Sequence, residues 1–140
     1  MKILKLVVCA VVLVAFASCS GYNEKKCEEI YDTIQEEGAS ELTVDDHSFM
    51  IDQVVAITKD LARKTKKCDS KAEVTEMMAD EDNAQMSKYN KTFQSVLESA
   101  DLSEKNEKKW KKAQKELDKI AADLKKEMQK KFQKALINGF

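Results

Sequence analysis

The chain has no proline, and only three of its 140 residues are glycine: Gly21, Gly38 and Gly139. Sheet-rich folds spend both residue types on their many turns. Their scarcity argues against a sandwich or barrel and for long helices joined by few turns. Histidine is nearly absent too. His47 is the only one, and it stands directly after Asp45 and Asp46. Three consecutive residues cannot converge on one ion, so no metal site is assigned, and the imidazole is expected to be exposed at a helix N-terminus. There is no G-x-S-x-G elbow, no glycine loop able to cradle phosphate and no C-x-x-C pair. No catalytic residue and no cofactor are therefore assigned, and the expected activity is not enzymatic. The absence of arginine forks and of interleaved exposed aromatics, in a chain that reads as exported, also argues against a nucleic-acid partner.

The first residues read as an address. Lys2 and Lys5 are the only charges before residue 20, and Leu6 to Ala17 is wholly apolar. A basic start, a short apolar run and small residues at its end make a secretory signal. Twelve apolar residues fall short of the roughly 20 that a permanent membrane helix needs. Two cleavage sites compete. Ala15-Phe16-Ala17 is an A-x-A box that would release a soluble secreted protein. Phe16-Ala17-Ser18-Cys19, followed by Ser20-Gly21, resembles the lipobox of bacterial lipoproteins, with Phe16 where an aliphatic residue is usual. The resemblance covers residues 1–21 only. It implies a signal peptide over 1–18, lipid on Cys19, a lipid-anchored leader over 19–22 and a mature domain over 23–140. The implied place is the bacterial cell envelope, on the periplasm-facing side of the outer membrane.

Cysteine parity favours the lipobox. Cys9 leaves with the signal, Cys19 is consumed by lipid, and Cys27 and Cys68 remain as a pair. In an oxidising compartment that pair is expected to form a disulfide, the other reading being two buried free thiols. A simple hairpin leaves the two about 18 Å out of line at 1.5 Å per residue. The connection over residues 38–44 would have to run along the second helix to close that gap.

About 120 mature residues suit one domain with a modest core. Cys27, Ile30, Tyr31 and Ile34 form one helical face, predicting a helix over 23–37 stopped by Gly38. A second helix starts at Asp45, or at Thr43 with Asp46 as its partner, and carries Met50, Val54, Ile57, Leu61 and Cys68 on one stripe. A third is read over 70–99. Its polar run Asp80-Glu81-Asp82-Asn83 is a candidate break, and Met77, Met78 and Met86 are read as core rather than soft-metal ligands. The last helix begins after Ser103 and carries Trp110, Ala113, Leu117, Ile120, Leu124, Met128 and Phe132 at three-four spacing. At about 50 Å it needs a long partner, and the third segment is the expected one. Phe93 would then face Trp110, and the Asp80–Asn83 run would lie near Lys119, Lys125 and Lys126. The predicted fold is all-α: an elongated three- or four-helix bundle with a long C-terminal helical hairpin.

Charge is unevenly shared. Residues 20–100 carry 18 acids and 10 bases, whereas residues 101–140 carry 7 acids and 12 lysines. The acidic half, and Glu28, Glu29, Glu36 and Glu37 in particular, is the expected surface for a protein partner. The lysine-rich helix reads as a solvated face, or as one that docks on anionic lipid or an acidic partner. The functional expectation is a lipid-anchored envelope protein that works by binding a protein, in the manner of an immunity protein neutralising a basic toxin. A self-associating structural lipoprotein and a helical carrier or chaperone for an apolar ligand are the alternatives.

Overall fold

The computed structural model of the chain describes residues 21–139, with side chains described through Lys134. The expected signal peptide and Cys19 lie outside the described residues. Among the described residues five helices follow one another: α1 (Glu24–Glu36), α2 (Val44–Lys66), α3 (Lys71–Ala79), α4 (Glu81–Ser99) and α5 (Glu104–Gly139), with one 3-10 turn at Ala39–Glu41. The fold is the expected all-α bundle with a long C-terminal helix, and no strand occurs among the described residues.

Each helix begins where its cap dictates. The Asn23 side chain accepts from the Lys26 N–H at 3.1 Å and opens α1. Gly38, at φ 97°, takes the left-handed conformation that lets the chain leave α1. Thr43, not Asp45, caps α2. Thr43 Oγ1 accepts from the Asp46 N–H at 3.1 Å while Asp46 Oδ2 accepts from the Thr43 N–H at 2.9 Å. This reciprocal box satisfies two free amides where Asp45 alone would satisfy one. Ser70 and Glu73 repeat the device at α3. Ser103 accepts from the Asn106 N–H at 3.2 Å and starts α5.

The third segment is two helices rather than one. Asp80, at ψ 136°, leaves the helical conformation, and its carboxylate accepts from the Asn83 N–H at 3.3 Å as the cap of α4. The Asn83 side-chain amide donates to the Met77 carbonyl at 2.8 Å and ties the corner together. An aspartate that can satisfy a new helix start competes well with helix continuation, so the break needs neither glycine nor proline.

One apolar cluster unites the bundle. It takes Cys27 and Ile30 from α1, Met50, Ile51, Val54 and Ile57 from α2, Met86, Tyr89, Phe93 and Leu97 from α4, and Trp110 and Ala113 from α5. The central element is α2, which packs on both α4 and α5. It runs antiparallel to α4: Asn90 donates to Thr58 Oγ1 at 3.3 Å, and Lys64 donates to Asn83 Oδ1 at 2.7 Å.

The partner of α5 differs from the one expected. The backbones of α4 and α5 stay apart, and α5 runs parallel to α2 instead. Three ion pairs mark that register: Asp52–Lys109 at 3.0 Å, Lys59–Glu116 at 2.7 Å and Lys66–Asp123 at 2.5 Å. They recur every seven residues on both helices, the interval at which two helices keep the same faces together. Phe93 and Trp110 do share the core cluster. The Asp80–Asn83 corner, however, is met by Lys64 of α2, not by Lys119, Lys125 or Lys126. The long hairpin is thus splayed, with α2 filling the role assigned to α4.

Candidate functional site

The two cysteines expected to pair are free thiols, both buried. The Cys27 thiol donates to Gln53 Oε1 at 3.3 Å, near the middle of α2. Cys68 lies fifteen positions further on, just beyond the end of α2, with its thiol toward the Lys64 carbonyl. At 1.5 Å per residue the gap is about 22 Å along the axis, far beyond disulfide reach. Residues 38–44 do not run along α2 to close it. They form a tight 3-10 turn against α1, so the axial mismatch survives in the fold. Burial, with a smaller push from Glu24, raises the Cys27 thiol to about 12. It stays protonated at neutral pH and is a poor nucleophile.

Gln53, only 3% exposed, is a hub that the sequence pattern did not reveal. Its Oε1 accepts from the Asn23 N–H at 2.8 Å as well as from Cys27, and its Nε2 donates to the Gly21 carbonyl at 2.9 Å. The end of the expected leader is therefore fastened to the bundle. Tyr22 packs half-buried against the core, and burial raises its phenol well above the ordinary value. A polar residue on a helix stripe normally signals the solvent side. Its burial here could have been read only from the neighbouring Met50, Val54 and Ile57.

His47 is buried, not exposed, and its Nε2 has no hydrogen-bond partner. Position 47 stands three and four residues before buried Met50 and Ile51 and so shares their inward face, one residue before the Ser48 that meets α5. Met86 is core, and Met77 and Met78 are half-buried. Among the described residues no three His, Cys, Asp or Glu side chains are grouped to hold a metal ion. No described helix is long and apolar enough to cross a membrane.

Glu28, Glu29, Glu36 and Glu37 are all exposed on or at the end of α1. Glu29 and Glu36 share its outward stripe with Asp32, opposite the buried Cys27 and Ile30. Glu28 turns toward α4, where its charge helps burial raise the Tyr89 phenol. Glu37 is the C-cap. The four glutamates therefore form a convex, divided surface rather than one site.

A concave site arises elsewhere. Because α5 leans onto α2, the seam between the end of α4 and the start of α5 stays open. Two adjoining hollows of about 360 and 390 Å³ share Glu98, Trp110 and Gln114 and form one groove. Leu97, Leu102, Trp110 and Leu117 supply its apolar floor, and Glu98, Asp101, Glu107 and Asp118 its rim. Lys111 is the one cation in the lining, and it already pairs with Glu107 at 3.5 Å. Among the described residues Glu98, Asp101 and Asp118 form no ion pair, so the groove is acidic and mostly polar, with a narrow apolar base at half-buried Leu102 and Leu117 and the edges of buried Leu97 and Trp110. A shallower hollow of about 530 Å³ on α4 is lined by Lys88 and Lys91, but Lys88 is engaged over the Tyr31 ring at 4.5 Å. In comparisons with protein-family models, curated proteins and solved structures, none matches this chain.

Proposed function

We propose that this is a non-enzymatic, lipid-anchored envelope protein that acts by binding a basic protein partner in the α4–α5 groove. The groove carries the reading. A narrow apolar floor between carboxylates that form no ion pair suits a segment that offers one apolar face and flanking lysines or arginines. The expected acidic surface on α1 is convex and lacks such a floor, so the partner is assigned to the groove instead. Neutralisation of a basic toxin, the role of an immunity-type protein, is the specific form of this binding. The lipobox-like Phe16–Cys19 supplies the anchor. Gly21 is two residue steps from Cys19, a reach of about 7 Å, so the bundle would sit close against the membrane that holds it. The facing is taken to be periplasmic, at the outer membrane. The rim carboxylates make the groove a poorer carrier of a purely apolar ligand.

The test is capture of partners by the lipidated protein from its own envelope, comparing wild type with the E98K/D101K/D118K variant. A stoichiometric basic partner that is lost with the variant supports the reading. The same partner held equally by both would refute the groove. The intact mass in the same experiment reports lipid on Cys19.

A further inference from the structure

Two rows of charge on the outside of the bundle have central side chains that form no ion pair among the described residues. On α1, Glu29, Asp32 and Glu36 are exposed at i, i+3 and i+7, on the side opposite buried Cys27 and Ile30. On α5, Lys112, Lys115 and Lys119 are exposed at the same spacing, opposite buried Trp110 and Ala113. Lys105 and Lys108 extend that row toward the start of the helix and Lys126 toward its end. Residues three and four apart on a helix lie on one face, so each set is a straight stripe. Among the described residues, none of these six central side chains takes part in an ion pair, although eight other pairs form.

The rows do not serve each other within one molecule. Helix α1 packs on α4 and α2, α5 packs on α2, and each row lies opposite the buried face of its own helix. The chain is nearly neutral, at a net charge of -1, yet it carries an acidic row and a basic row on different helices.

We infer that a second copy of this chain is the occupant of both rows: the lysine stripe of α5 in one copy docks on the acidic stripe of α1 in the next. The matching interval lets Glu29, Asp32 and Glu36 meet Lys112, Lys115 and Lys119 together when the two helices run parallel. The i, i+4, i+7 set Lys108, Lys112 and Lys115 meets the same acids when they run antiparallel. The contact is heterologous, since it joins different surfaces of the two copies, and it therefore builds rows or rings rather than a closed twofold dimer. Each exposed pair is weak and screened by salt. Tethering the copies to one membrane raises their effective concentration and favours the contact. This surface is separate from the α4–α5 groove, so the two readings stand or fall independently.

The test is sedimentation of the full-length expression product, extracted in nonionic detergent, at 50 and 500 mM salt. Wild type associates at low salt and is monomeric at high salt, with the apparent dissociation constant rising by about tenfold or more. The K112E/K115E/K119E variant and the E29K/D32K/E36K variant are each monomeric at low salt, because their two rows now carry like charge. Mixed in equal amounts, they associate again. Neutral K112Q/K115Q/K119Q, which removes attraction without adding repulsion, is weakened in the same direction. Matching helical signal and melting temperature confirm that the variants are folded. Wild type that stays monomeric at 50 mM salt overturns the proposal. So does association that survives 500 mM salt, or a mixture of variants that fails to recover it. Binding to anionic vesicles without self-association would transfer the lysine row to lipid.

Discussion

On the side of α2 that faces α4, Met50, Val54 and Ile57 are fully buried in one cluster with Met86, Phe93 and Leu97. On the side that faces α5, Trp110 and Ala113 join that cluster and the ladder of Asp52–Lys109, Lys59–Glu116 and Lys66–Asp123 flanks it, with Lys109 also donating to Ser48 Oγ at 2.8 Å. Buried Asn106 adds a bond to the Val44 carbonyl at 2.9 Å. The apolar seam removes large side chains from water and supplies most of the stability. The polar seam contributes less per contact, but its pairs are directional and recur at one interval. It therefore selects the register of a long helix that apolar packing alone would allow to slide.

The sharpest way to break this contrast is Phe93→Ala. Deleting a fully buried aromatic from the apolar seam should cost about 3–5 kcal/mol, read as a drop in the urea midpoint with the slope unchanged. Gln53→Ala comes next. It strips partners from the Asn23 amide, the Cys27 thiol and the Gly21 carbonyl, and should cost about 2–3 kcal/mol. It should also release residues 21–23 to faster amide exchange, which a simple packing defect would not do.

Asp60, buried on α2 beside Arg63 and Lys64, tests the polar contribution by pH. Burial raises its carboxyl, but hydrogen bonds and charge from Lys64 and Arg63 outweigh burial and hold it below its ordinary value. A carboxyl depressed on folding adds stability that is present above the unfolded value, near pH 4, and lost as pH falls through the folded one. Asp60→Asn should lower stability at pH 7 by about 1–2 kcal/mol and flatten the loss of stability below pH 4. An unchanged acid limb would mean that the cluster contributes nothing.

The ladder should give the smallest stability effect. Removing Lys59 or Glu116, both substantially exposed, should cost less than about 1 kcal/mol. Loss of all three rungs should instead show as altered spin-label distances between α2 and α5. Thiol chemistry costs no stability at all. Without reductant, native protein should alkylate slowly at Cys27, and unfolded protein should take label on both Cys27 and Cys68. Failure to label after unfolding would mean that the pair is oxidised.

Much of this was legible from residue spacing. The helix over 23–37, the start after Ser103 and the core roles of Met86, Phe93 and Trp110 follow from a three-four stripe and a cap, both local properties of a few consecutive residues. The corner at Asp80 was legible only as a polar run. Whether such a run continues or breaks a helix depends on the Asn83 bond to Met77, a contact across the corner. His47 read as surface, and Gln53 was not singled out, because polarity is a poor guide where a buried group is held by, or wedged against, another element.

Amino-acid sequence alone determined the helical class, most helix starts and the uneven sharing of charge, because helix propensity, capping and apolar period act within one turn of chain. It also held the warning about Cys27 and Cys68, since the axial mismatch follows from helix rise. Which helix α5 would lie against was decided only in three dimensions. An amphipathic stripe states that a face must be covered, not by what, and α2 and α4 offered comparable apolar faces. The heptad match of charges on α2 and α5 settled that choice. In doing so it opened the α4–α5 groove.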